Sequence, residues 1–71
     1  MLFNVIGHML MVDESGRVHR SSSVFYRNGV ADFIREARAY VQATGKTMIV
    51  RGCYPDGSII TVVKIPFTPP S

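Results

Sequence analysis

The sequence predicts an α+β domain with the order ββαββ: two antiparallel β-hairpins joined by one helix packed on the sheet. Three observations carry that prediction. Apolar residues recur at helical spacing in one central segment. Runs of apolar and β-branched residues flank that segment on both sides. Each flank is divided by a polar turn ending in glycine, Asp13-Glu14-Ser15-Gly16 in the first half and Tyr54-Pro55-Asp56-Gly57 in the second.

In the first hairpin, residues 2–12 form a strand with apolar side chains on both parities, and residues 17–26 return. With Glu14-Ser15-Gly16 as the loop, Val12 faces Val18, Leu10 faces Arg20, Ile6 faces Val24 and Val5 faces Phe25. Gly16 takes the left-handed position of a bulged turn. The run Arg20-Ser21-Ser22-Ser23 makes the second strand polar in its middle, as suits a sheet edge.

Asn28-Gly29 breaks the strand and caps a helix over residues 30–44. Val30, Phe33, Ile34, Ala37 and Val41 share one face of it, while Arg35, Glu36, Arg38 and Gln42 point to water. Asp32 falls in the first turn, and Gly45 is a left-handed stop.

Residues 46–53 and 58–65 form the second hairpin. Its proline presets the first turn dihedral, and its glycine accepts a positive φ. Val50, Ile60 and Val62 are expected on one face, with Ile49, Ile59 and Val63 on the other. Pairing ends near Ile65, because Pro66, Pro69 and Pro70 lack the donors a sheet needs. The chain thus reads as one domain over residues 1–65 with an extended, proline-rich tail over 66–71.

One helix covers only one face of a four-stranded sheet, yet the apolar residues occupy both parities. A second layer is therefore expected from outside the chain, as a homodimer through the uncovered face. Size points the same way. A 71-residue chain buries about 60% of its unfolded surface, and a core of that size supplies roughly 3–5 kcal/mol.

Composition narrows the chemistry. Cys53 is the sole cysteine, which excludes an intrachain disulfide and fits a reducing, cytoplasmic setting. The apolar start of the chain has no preceding Lys or Arg and is broken by Asn4 and His8. It reads as a strand, not as a signal or membrane anchor. His8, His19 and Cys53 lack metal-ligand spacing, and the expected register puts the two histidines on opposite faces, so no metal and no cofactor are expected. Ser21, Ser22 or Ser23 with a histidine and Asp13 supplies the residue types of a nucleophilic triad, but no GxSxG elbow, phosphate-cradling loop or HExxH accompanies them. The chain is not expected to be an enzyme.

The formal net charge is +3, from eight basic and five acidic side chains, and the arginines are dispersed. Arg17, Arg20, Tyr26, Arg27 and Arg51 are the candidate contact residues. Guanidinium groups pair with carboxylates or phosphates, and an aromatic ring suits an interface core or base stacking. By elimination, the reading is a small protein-binding module. Its model is the phage- or plasmid-type inhibitor that occludes a surface of a larger protein or ribonucleoprotein complex of a host. Direct nucleic-acid binding is the alternative.

Overall fold

The computed structural model describes residues 7–23 and 27–70, with the backbone alone at 27 and 28. Its elements are β1 (His8–Asp13), β2 (Val18–Ser23), α1 (Arg27–Thr44), β3 (Met48–Cys53) and β4 (Ile59–Ile65). The four strands make one antiparallel sheet in the order β2-β1-β3-β4. The ββαββ α+β architecture is therefore as expected. The hairpins are joined through their first strands, and α1 carries the chain from the β2 edge over β1 to the central β3.

Both hairpins use the same turn. Gly16 N–H donates to the Asp13 carbonyl and Asp13 N–H to that of Arg17, while Gly57 N–H donates to Tyr54 and Tyr54 N–H to Ser58. Gly16 and Gly57 have φ of 91° and 93°, values that disfavour any residue with a Cβ. In each turn an aspartate accepts from the amide and hydroxyl of the serine two residues on. Asp13, at the start of its turn, also takes the Arg17 amide, whereas Asp56 sits inside its turn and binds Ser58 alone.

The helix starts earlier than its periodicity suggests. Asn28 and Gly29 lie inside the first turn rather than before it, and Asp32 lies beyond that turn. The amides of a first turn have no intrahelical acceptor in any case, so poor helix formers are tolerated there. Asp32 accepts instead from Arg35, at 2.9 Å. The C-terminus is as expected: Gly45 has φ of 69°, and its N–H donates to the Val41 carbonyl.

Phe33, Ala37 and Val41 of α1 close over Met9 and Met11 of β1, Met48 and Val50 of β3 and Ile65 of β4. Val30, Ile34 and Tyr40 extend that contact. The tail contributes too. Phe67 packs against this core, and its N–H donates to Thr47 Oγ1 at 3.1 Å.

Two β-bulges change the expected registers. Between Met11 and Val12 the β1–β2 ladder shifts by one residue, so Val12 pairs with Val18 as expected but Leu10 pairs with Ser21 and Met11 with Arg20. The extra residue on β2 is His19. Between Val50 and Arg51 the β3–β4 ladder shifts likewise, so Val63 pairs with Val50 and joins the helix side, along with Val62. A bulge places an unpaired residue in one strand and reverses the face of everything beyond it. The expected pairs of Ile6 with Val24 and Val5 with Phe25 lie outside the described residues.

Candidate functional site

The first cluster is built around His19. Lifted out of the ladder by the bulge, its ring turns beneath α1 and bridges two elements. Nε2 lies 2.8 Å from Asp13 Oδ2, and Nδ1 lies 3.0 Å from the Tyr40 hydroxyl. An ionised Asp13 accepts only, so Nε2–H donates to it and Nδ1 of the neutral ring accepts from Tyr40 O–H. Asp13 Oδ1 also accepts from Ser15 N–H, Ser15 Oγ–H and Arg17 N–H. The imidazole bond first, and the Ser15 hydroxyl second, hold the Asp13 carboxyl far below the usual carboxylate range. The His19 and Asp13 side chains are only 10% and 14% exposed, which marks a bridge inside the fold rather than a docking surface.

Asp13 and a histidine thus do meet, as a triad would require. The third group is a tyrosine, however, and not one of the serines. Ser21 and Ser23 pair with Leu10 and His8 and so face away from the helix, while His19 faces toward it. His8 and His19 occupy opposite faces as expected, although the bulge rather than simple alternation puts His19 on the helix side. Among the described residues, no three histidine, cysteine or carboxylate side chains gather to hold a metal ion.

The proposed contact residues do not converge. Arg20 pairs with Met11 on the helix side, where its guanidinium meets Glu36 at 3.0 Å and lies 5.7 Å from the Phe33 ring centroid. Arg51 pairs with Leu10 and occupies the opposite face. Arg17 follows the first turn at the end of the hairpin and is exposed. Tyr26 and the side chain of Arg27 lie outside the described residues.

Two features legible only in the fold involve other cations. On the sheet face opposite α1, the rows run Val18–Val12–Ile49–Lys64, Ser21–Leu10–Arg51–Thr61 and Ser23–His8–Cys53–Ile59. Val18 is 51% and Ile59 59% exposed. Arg51 and Lys64 bring positive charge to this face, and no carboxylate stands among its described residues. The second feature is a groove of about 400 Å³ between α1 and the outer side of β4, lined by Arg38, Gln42, Val63, Lys64, Ile65, Pro66 and Thr68. It too contains no carboxylate. Among the described residues, Arg20 and Arg35 are paired with Glu36 and Asp32, while Arg17, Arg38, Lys46, Arg51 and Lys64 have no such partner.

Comparison of the chain with protein-family models, with curated proteins and with solved structures returned no match. No helix among the described residues is long and apolar enough to cross a membrane.

Proposed function

We propose that this chain is a non-enzymatic protein-binding module that occupies an acidic surface of a larger partner, as an inhibitor or accessory factor. The supporting observation is the segregation of charge. Arg20 of the β2 edge and Arg35 of α1 are neutralised by Glu36 and Asp32, whereas Arg51 and Lys64 stand on a sheet face of mixed apolar and neutral polar residues without carboxylates. A desolvated apolar patch with arginine at its centre is the composition of an interface core.

The same pattern argues against the homodimer expected through this face. Two copies packed face to face would set Arg51 and Lys64 against like charges, which costs affinity when the interface excludes water. A partner bearing Asp and Glu meets them with the opposite sign. Nucleic acid also carries the right charge, but among the described residues of this face the one aromatic ring is the imidazole of His8, at its far end from Lys64, with no tyrosine, phenylalanine or tryptophan for base stacking.

Affinity capture with the intact chain tests the reading. A discrete protein partner should be retained by the wild type and released by Arg51→Glu, while Arg20→Glu, on the other side of the sheet, should still retain it. A complex with naked oligonucleotide whose affinity falls steeply with salt, in the absence of any captured protein, would refute it.

A further inference from the structure

We propose that the outer edge of β4 takes an extended, carboxylate-bearing segment of the partner protein as an added fifth strand. This rests on the protein-binding reading above and names its mode. β4 pairs with β3 on one side only, so the main-chain groups on its other side have no strand partner among the described residues. Such an edge is a template for another chain.

The two edges of the sheet differ in how they are guarded. Both edges carry a bulge, but β2 is polar and holds Arg20 against Glu36. β4 is mostly β-branched, has no internal proline and bears one charge, Lys64. Ile59 and Ile60 at its start are 59% and 41% exposed and lie on opposite sides of the sheet. An incoming strand laid along β4 would therefore find apolar contact on both faces. The bulge near Val62 divides this edge and leaves Val63 to Ile65 as its regular half, beside the groove.

The groove selects the occupant. Arg38, Gln42 and Thr68 can donate hydrogen bonds into it, and Val63, Ile65 and Pro66 add apolar lining. Alternating side chains of an added strand point to opposite faces, so acidic residues on one parity meet Arg38 while apolar ones pack along β4. A second copy of this chain fits poorly, because its β4 would bring the same cations. Nucleic acid has no repeating N–H and C=O to pair with a strand edge, and no aromatic side chain lines the groove.

The test uses the full ¹⁵N-labelled chain and a short, end-blocked peptide of alternating valine and glutamate. At about 1 mM peptide, within reach of weak binding, amide shifts should concentrate on residues 61–65 and on Arg38 and Gln42. Arg38→Glu should weaken binding about tenfold or more, as a reversed charge at a contact does, with a spectrum that remains dispersed. Methylating the amides along one edge of the peptide should abolish binding, while methylating the other edge should preserve it. The inference is overturned by absence of shifts, by equal binding of the lysine-for-glutamate peptide, by binding of both methylated forms, or by β4 shifts that track protein concentration without peptide. A captured partner whose retention ignores Arg38→Glu but is lost in Arg51→Glu would overturn this edge mode and leave the protein-binding reading standing.

Discussion

His19 Nδ1 lies 3.0 Å from the hydroxyl of Tyr40, and the two rings meet edge-on with centroids 5.6 Å apart. Through this contact the β2 edge is tied to α1, and through Nε2 to the Asp13 turn. Tyr40→Phe keeps the ring and removes the bond, leaving the largely buried imidazole nitrogen unpaired. The expected loss is about 1–2 kcal/mol of unfolding free energy, measured by urea denaturation. A Tyr40→Phe protein as stable as the wild type would show that water replaces the hydroxyl.

Acid should weaken the fold through Asp13. Its carboxyl is depressed in the folded chain, first by His19 and then by Ser15, whereas an unfolded aspartate titrates near about 3.9. Below that value the unfolded state binds the proton more readily. The stabilisation is complete above about pH 4 and is lost as pH falls further. Asp13→Asn should be less stable at neutral pH and should show a flatter decline between roughly pH 4 and 2, read from denaturation midpoints. An unchanged acid slope would place the sensitivity elsewhere.

Arg20 should prove a structural residue. Arg20→Glu sets a carboxylate against Glu36, and both sites are about half exposed, at 46% and 52%. The expected cost is up to about 1 kcal/mol, restored in the double variant Arg20→Glu with Glu36→Arg. Failure of the exchange to recover the melting temperature would show that the Phe33 contact, not the ion pair, carries the effect.

Gly45→Ala should destabilise by roughly 1–2 kcal/mol, because an L side chain at this φ of 69° crowds its own carbonyl. A new Cβ would also reach ordinary contact with the Phe67 ring, at 3.8 Å. Gly45→Asn should cost less, since asparagine tolerates the left-handed region better. Equal losses for the two would refute the backbone explanation.

Phe33→Ala removes the largest helical contribution to the core. Truncating a buried phenylalanine costs about 3–5 kcal/mol, comparable with the whole stability of a core of this size. The variant should show no cooperative unfolding transition in circular dichroism at 25 °C, a conventional assay temperature. A retained sharp transition would imply that the tail and turns contribute more than the core.

Local signals in the sequence were enough to define the elements and their chain order. The spacing of Val30, Phe33, Ile34, Ala37 and Val41 is dictated by a 3.6-residue repeat, and the glycines at 16, 45 and 57 by backbone sterics, so each could be read without knowing the fold. The helix start was less legible, because free first-turn amides impose little preference on Asn28 and Gly29. Pairing within each hairpin followed from its turn, up to the point where a bulge intervened.

Strand order and the grouping of charges were decided by tertiary structure alone. A bulge inserts one residue with no distinctive composition, yet it turns His19 toward Tyr40, Arg20 toward Glu36 and Val63 toward the core. Arginines close in sequence or similar in setting, such as Arg20 and Arg51, therefore ended on opposite faces, while Arg38 and Lys64, far apart in the chain, came to line one groove. The physical reason is that sequence periodicity reports which side of its own element a residue occupies. Which element lies beside it depends on how the two hairpins join, through β1 and β3, and no local preference encodes that choice.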